Sequence, residues 1–343
     1  MSAPTSQLGA LAAPFPWFGG KSGACEVVWQ AFGEVQNYVE PFAGSAAMLL
    51  GAPDGKRIET INDADGFVAN FWRAVHADPE AVAHHADWPC NENDLFARHS
   101  WLVRHAQELT DRLHADPEYF DAKMAGWWCW GACNWIGSGW CTGDGPWVLG
   151  DDGKFAKKAG SGGVRNKLPH LGDAGQGINR QLPHLGDAGQ GINRQTDNGR
   201  SGFIHLWFAA LHDRLRDVRV TCGDWSRVVK DSVTVRHGLT GVFLDPPYFK
   251  GAMDYSAGGV GTNLPAEVGA WCAANGDNPK LRIVICGHAG EHDTLLAHGW
   301  TERKWAARKG YATTDEAVAN SASETIWCSP NCVAETRVQD SLF

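Results

Sequence analysis

The residues of this chain best suited to chemistry form one short run, Asp245-Pro246-Pro247-Tyr248. The small and apolar residues before it predict a short buried strand that ends at Leu244. Because two prolines exclude helix and remove two backbone donors, the chain beyond must run extended. A carboxylate, a main-chain carbonyl and an aromatic face then lie beyond the carboxyl end of a strand, where open α/β sheets bind ligands. Such a set suits a flat base with an exocyclic amine; the alternative is a turn with a capping Asp and a packed Tyr.

A second run, residues 38–50, predicts a strand, a turn of small residues and a helix. Small residues at such a turn let a ligand approach the backbone closely, with helix amides directed at it. The turn lacks the Gly-x-Gly-x-x-Gly pattern of dinucleotide sites, so a nicotinamide cofactor lacks its fingerprint. The run therefore predicts a ligand-binding turn of a different type.

An acidic residue follows the next predicted strand, which spans residues 56–61. Asp63 stands where a ribose diol is held in folds of this kind. The alternative is that Asp63 only caps the helix predicted over residues 67–76.

The remaining pattern supplies the elements that must position these residues. Strands are predicted at residues 218–222 and 281–286, and a terminal hairpin pair at 300–305 and 323–328. Helices are predicted at residues 25–32, 203–215 and 291–298. Strands that alternate with helices favour an α/β fold with a parallel sheet. Residues 1–76 and 203–343 are therefore predicted to build one domain, interrupted by an insertion at 77–202.

The insertion changes character along its length. Residues 78–125 have helix-like apolar spacing, and many of the chain's 17 tryptophans cluster at 127–147. Structural packing is one interpretation of these rings, and stacking on bases or the lining of a pocket is the other.

A tandem repeat follows, because residues 168–181 are repeated letter for letter at 182–195. Two copies are too few for a solenoid. Residues 153–200 carry eight Lys or Arg against three Asp, a local charge of +5 in a chain of net charge −9. Such side chains contact phosphates and base edges. The alternative is a solvated loop enlarged by duplication.

Composition limits the class of protein. With 343 residues and 43% hydrophobic residues, the chain can bury a sizeable core. The first residues carry no signal-peptide pattern, and no run is long and apolar enough for a membrane span, which predicts a soluble, cytoplasmic protein. The ten cysteines include no Cys-x-x-Cys and predict reduced, mostly buried thiols rather than disulfides or zinc ligands.

Taken in order, the motifs resemble those of the Dam-like, α-group DNA adenine-N6 methyltransferases, in a version found in phages and prophages. The resemblance covers roughly residues 15–75 and 203–330. It implies a Rossmann-like methyltransferase sheet that binds S-adenosylmethionine (SAM), with the insertion as a mainly helical and loop-rich target-recognition domain. The family often has Phe-x-Gly-x-Gly at the turn, whereas this chain has Ala46 at the second glycine.

The resemblance also implies roles for particular residues. The catalytic residues would be Asp245, Pro246, Pro247 and Tyr248. The cofactor would be held by Trp17, Lys21, Glu40, Pro41, Phe42, Ala43, Gly44, Ser45, Asp63, Asp224 and Asp245. Within the basic segment, DNA would be contacted by Arg165, Lys167, Arg180, Arg194 and Arg200.

Adenine chemistry accounts for these residue types. The N6 lone pair is delocalised into the ring, so acceptors at Asp245 and Pro246 would draw the nitrogen toward tetrahedral geometry and stabilise developing positive charge. Such preorganised stabilisation contributes on the order of 3–4 kcal/mol per group, and stacking on Tyr248 roughly 1–3 kcal/mol. Because the amine is unreachable inside a duplex, the base must be flipped out. Neither a metal nor a nucleophilic cysteine is required.

The predicted function is therefore site-specific methylation of adenine N6 in double-stranded DNA, the activity of a restriction-modification or phage enzyme. Two alternatives remain open at the level of sequence. One is the same chemistry on cytosine N4 or on RNA. The other is a DNA-binding protein that keeps the fold without the activity, for which Ala46 and the repeat are the motivation.

Overall fold

Helices and strands alternate through the chain in a computed structural model that describes residues 11–17, 21–135, 139–141, 147–149, 155–157, 200–247, 264–305 and 324–334. The α-helices are α1 (Cys25–Phe32), α2 (Ala47–Leu50), α3 (Gly66–Ala77), α4 (Pro79–Ala86), α5 (Glu92–Ala115), α6 (Ala122–Asn134), α7 (Arg200–Leu215) and α8 (Leu264–Asn275). The strands are β1 (Asn37–Glu40), β2 (Ile58–Asp63), β3 (Trp147–Leu149), β4 (Phe155–Lys157), β5 (Val218–Cys222), β6 (Thr240–Leu244), β7 (Leu281–His288), β8 (Thr301–Lys304) and β9 (Glu324–Cys328).

The chain divides into two structural units. The first unit contains residues 1–18, 63–224 and 251–260, and the second contains residues 19–62, 225–250 and 261–343.

A mostly parallel sheet organises the second unit. Within this unit, the strands of the sheet lie in the order β2-β1-β6-β7-β9-β8. The first four of these are parallel, and β9 pairs antiparallel with both β7 and β8. All five residues of β6 are buried. Such continuous apolar runs are typical of parallel strands covered on both faces, and they place β6 in the middle of the sheet.

Helices dominate the first unit, which contains α3 to α7 and strand β5. Its core is rich in aromatic rings that meet edge to face, with Phe15 at 4.8 Å from Trp128 and 5.1 Å from Phe71 between ring centroids. Helix α6 lies close to α4 because Gly126 has no side chain to separate them. The cluster of tryptophans therefore contributes to packing in this unit, with Trp128 and Trp130 buried.

Tryptophans at the border of that core contact the protein's own cations. The Arg98 guanidinium lies over the rings of Trp88, Trp127 and Trp130, with 4.2 Å to the Trp130 centroid. Lys123 lies 4.4 Å from the Trp127 centroid. Since these cations already occupy ring faces, the contacts support the packing interpretation over base stacking for these rings.

The predicted α/β class is confirmed, and so are most of its elements. Strand β5 and helix α1 have the predicted bounds, and β8 and β9 form the predicted terminal pair. The segment predicted as a helix at 291–298 is a short 3-10 helix, Asp293–His298. The predicted division of the chain at residues 76 and 203 and the recognition role of residues 77–202 stay predictions.

All ten cysteines are free thiols, and seven of them are buried. In the described ranges no group of His, Cys, Asp and Glu side chains is arranged to hold a metal ion. Within the same ranges, no helix combines the length and the apolar character needed to cross a membrane.

Candidate active site

Asp245 lies directly beyond the end of β6, as the sequence predicts. The two neighbours of β6 in the sheet are β1 and β7, so Asp245 stands at the carboxyl edge between two further parallel strands. Its side chain is about a fifth exposed, at 21%. Pro246 is buried and Pro247 partly so, whereas Tyr248 lies outside the described residues.

A buried lysine joins Asp245 to a second carboxylate. Lys21 Nζ lies 3.3 Å from Asp245 Oδ1 and 3.6 Å from Glu324 Oε1. The Lys21 side chain is only 5% exposed. A buried ammonium needs partners of opposite charge to offset the loss of water, and these two carboxylates supply them. Lys21 itself begins a turn that leads into α1, since Ala24 N donates to Lys21 O at 2.9 Å.

A third carboxylate stands at the end of β1. Glu40 is 2% exposed, and the Tyr38 hydroxyl donates to its Oε2 at 3.0 Å. Burial, followed by the charge of Glu40, raises the pKa of Tyr38 well above its ordinary value. The hydroxyl therefore remains a donor to the carboxylate at neutral pH.

The same group of charges affects the pKa of Cys286 on β7. Burial raises the pKa of its thiol, and the charges of Asp245, Glu324 and Glu40 raise it further, while Lys21 opposes them. The thiol is thus neutral and unsuited to nucleophilic chemistry. These interactions also indicate that three carboxylates and one ammonium lie near one another at the carboxyl edge of this sheet.

The turn after β1 has the geometry needed for close approach of a ligand. It is tied to the end of β2, because Asn62 Nδ2 donates to Pro41 O at 3.0 Å and Ala43 N donates to Asn62 O at 2.9 Å. Gly44 has φ 45° and Ala46 has φ 49°, both in the left-handed region. Phe42 stacks on Trp225 with 6.1 Å between ring centroids. The left-handed conformation explains why glycine suits position 46, where this chain has alanine.

In the first unit, Asp63 and Asp224 follow their strands as predicted. Gly223 N donates to Asp63 O at 2.9 Å, which places the exit of β5 beside the exit of β2. Asp63 Oδ1 accepts from Asp65 N, and Asp65 in turn accepts from Phe67 N as the cap of α3. The alternative in which Asp63 caps this helix is therefore wrong, because Asp65 does so.

Trp17 also lies in the first unit, where its ring packs on Phe15 and Trp128 at 6.0 and 6.5 Å. Arg200 is the first residue of α7. The other residues predicted to contact DNA lie outside the described residues, namely Arg165, Lys167, Arg180 and Arg194.

The structure thus brings Lys21, Glu40 and Asp245 to one sheet edge within the second unit, together with the turn of residues 41–46. It also adds Glu324, which the sequence reasoning did not single out. The sequence carried only part of the signal for Glu324: the residue lies near the start of the strand predicted at residues 323–328. An antiparallel neighbour of β7 must begin where β7 ends, and Glu324 pairs with His288 there.

Residues 17–120 match the model of a family described as D12 class N6 adenine-specific DNA methyltransferase. Over this range the resemblance drawn from the sequence is confirmed, and the matching family is of the enzyme class that the resemblance implied. The matched range includes Lys21, Glu40 and Asp63 but ends before Asp245, so the role of the Asp-Pro-Pro-Tyr run stays a prediction. No curated protein matched the chain.

Proposed function

We propose that this protein transfers a methyl group from SAM to adenine N6 in double-stranded DNA, at a specific site and on a base flipped out of the duplex. The observation that carries the proposal is the Asp245 carboxylate at the carboxyl end of the central strand β6, set among Lys21, Glu40 and Glu324. The family match at residues 17–120 supports the same chemistry.

The charge of this edge fits SAM, which supplies a methyl group on a positively charged sulfur. Among the described side chains around Asp245, three carboxylates stand against one ammonium, and such a balance favours a cationic ligand. Glu40 is fixed by the Tyr38 hydroxyl, and the turn at residues 41–46 presents small residues and backbone amides. Glu40 and this turn would hold SAM, and the roles of Asp63, Asp224 and Trp17 in cofactor binding stay predictions.

The protein's own groups act on the amine of the base. Asp245 and the Pro246 carbonyl would accept hydrogen bonds from its two N–H groups, which concentrates the lone pair on nitrogen. SAM, when bound, would supply the methyl carbon: the N6 lone pair would form the new bond as the carbon–sulfur bond breaks, with the bonding electrons remaining on sulfur. The positively charged amine would then lose one proton to solvent. Positioning dominates such a displacement, so rigid placement of Asp245 at the strand end is what the fold contributes.

The test uses the whole protein, SAM with a labelled methyl group and unmethylated duplex DNA, followed by nucleoside analysis. Label in N6-methyladenine is expected, and Asp245→Ala should reduce its formation by about 100-fold or more. The matched control is Asp54→Ala, which removes an exposed carboxylate of the same unit and should leave the rate unchanged.

Nucleoside analysis also separates the alternatives. Label in N4-methylcytosine would show that the same chemistry acts on cytosine rather than adenine. Label found only with an RNA substrate would show that the substrate is RNA rather than DNA. If SAM binds but no base is labelled in any substrate, and if Asp245→Ala binds DNA as the wild type does, the protein is a DNA-binding protein without this activity.

A further inference from the structure

Glu324 is a described carboxylate at the carboxyl edge of the sheet, beside Lys21 and Asp245, that the methylation motifs do not account for. It is the first residue of β9, pairs with His288 at the end of β7, and is 14% exposed as a side chain. Its Oε1 lies 3.6 Å from the ammonium that contacts Asp245. We propose that Glu324 is a positioning residue: it shares Lys21 with Asp245, and so leaves acceptor capacity on Asp245 for the amine of the target base. This inference rests on the proposed function.

The distances indicate that the ammonium is divided between two carboxylates. A charge-assisted N–H···O bond is typically about 2.7–2.9 Å long, whereas the two distances from Lys21 Nζ are 3.3 and 3.6 Å. A lysine has three donors and can serve both partners at once. Because both carboxylates attract the ammonium, Lys21 does not form a short ion pair with Asp245 alone.

Sharing matters because Lys21 and the substrate amine compete for the same carboxylate. An ammonium closed on Asp245 would occupy its lone pairs and cancel the negative charge that stabilises the positively charged nitrogen. Loss of Lys21 would have the opposite defect, since the carboxylate would lose the ammonium that opposes its acidic neighbours. Glu324 holds the ammonium at an intermediate position, in which it orients Asp245 without neutralising it.

The charge state of Glu324 provides a readout that a merely structural role would not affect. Burial raises the pKa of Glu324, Lys21 opposes that shift, and Asp245 adds to it. As pH falls through this raised pKa, Glu324 becomes neutral and its hold on Lys21 weakens. The kcat of the wild type should therefore fall at acid pH toward that of Glu324→Gln, and the variant should lack this step. Among the described residues, the other charged or titratable groups at this end of the sheet are Tyr38, Glu40, Cys286, His288, Glu291 and His292.

A double-mutant cycle tests whether Glu324 acts through Lys21. In the otherwise wild-type protein, Glu324→Gln should lower kcat for adenine methylation by about tenfold, with the KM for SAM within about twofold. In the Lys21→Met background the same change should cost less than about twofold, because the residue through which it acts is absent. Glu324→Asp, which keeps the charge, should recover part of the loss. Glu302→Gln on the neighbouring strand is the matched control and should retain wild-type kcat.

Thermal unfolding and SAM binding are measured for each variant. They distinguish a variant that misfolds from one in which only Asp245 is misplaced. The inference is overturned if Glu324→Gln keeps wild-type kcat, if it costs the same in both backgrounds, or if only the KM for SAM changes. A wild-type protein that methylates no adenine would overturn the proposed function itself, and this inference with it. A wild type that is active while Glu324→Gln is equally active would overturn the inference alone.

Discussion

Ala46 holds a backbone conformation that alanine tolerates poorly. Its φ of 49° is in the left-handed region, where a β-carbon crowds the following carbonyl at a cost of roughly 1–2 kcal/mol. Because glycine avoids this crowding, Ala46→Gly should raise the free energy of unfolding by about 1 kcal/mol, less the entropy cost of glycine in the unfolded chain. Urea unfolding measures the change.

The adjacent residue is the control for this prediction. Ala47 begins helix α2, where glycine costs about 0.5–1 kcal/mol relative to alanine. Ala47→Gly should therefore destabilise the protein while Ala46→Gly stabilises it. Two changes of the same sign would show that the conformation at position 46 is not left-handed in solution.

The buried His99 is expected to make the free energy of unfolding depend on pH. Burial lowers its pKa from 6.5 to about 4, and its ring stacks on Trp135 at 4.6 Å while Nδ1 accepts from Cys141 N. Between those two pKa values the unfolded chain binds a proton that the folded protein excludes. The free energy of unfolding should therefore decrease as pH falls from 6.5 to 4, by at most about 1.4 kcal/mol per pH unit. Urea unfolding across this window should show a shallower loss for His99→Phe, whereas the exposed His298→Phe should keep the wild-type slope.

Single residues differ in how far sequence alone could place them. Asp245 was predictable because two prolines mark the strand end at which it stands. Asp63 and Asp65 were not separable, because both precede the helix and only the hydrogen bonds to Asp65 N and Phe67 N distinguish their roles. Glu324 was missed because its position depends on an antiparallel pairing with β7, which local sequence does not encode.

Helix packing in the first unit depends on one glycine. A β-carbon at Gly126 of α6 would stand 2.7 Å from Val82 O and 3.0 Å from Ala86 N, both backbone atoms of α4. Since backbone cannot move aside as a side chain can, Gly126→Ala should destabilise the protein by about 1–3 kcal/mol through overpacking, despite the better helix propensity of alanine. Thermal unfolding with calorimetry checks the value.

The same substitution in α7 is a matched control. A β-carbon at Gly202 would have no atom within 4 Å, so Gly202→Ala gains helix propensity without a clash. It should stabilise the protein by up to about 1 kcal/mol. If Gly126→Ala also stabilised the protein, the close approach of α4 and α6 would be wrong.

Whole elements were predicted well where apolar pattern and length agree. The buried runs of β6 and β7 are bounded by turn residues, so their strand character follows from sequence. The segment at 293–298 has helical spacing yet forms only a 3-10 helix, because a run of six residues ends at Gly299 in a left-handed conformation. How the chain partitions into units could not be predicted, because that depends on contacts between distant segments rather than on local pattern.

At the scale of the whole molecule, one segment of the chain has a charge opposite in sign to the net charge. The chain carries net charge −9, and the described side chains around Asp245 include three carboxylates against one lysine. Residues 153–200, in contrast, carry eight Lys or Arg against three Asp. A polyanion such as DNA is repelled by the negative net charge and by the carboxylates around Asp245, and it is attracted by the basic segment. The function proposed above therefore requires a basic contact away from the carboxylates that surround Asp245, and this segment supplies the charge for it.

The repeat provides a way to test that requirement, because Arg180 and Arg194 occupy equivalent places in its two copies. If both contact phosphates, the double change to Gln should weaken DNA binding for all sequences, since each phosphate contact releases counterions. The slope of log K against log salt should then become shallower by about 0.9 per lost contact. Fluorescence anisotropy with duplex DNA over a range of salt measures the slope, and the single variants report whether one copy or both bind. The Kd for SAM should not change, because it depends on the edge at Glu40. An unchanged slope in the double variant would leave the repeat as a solvated loop and move the DNA contact to other cations of the insertion.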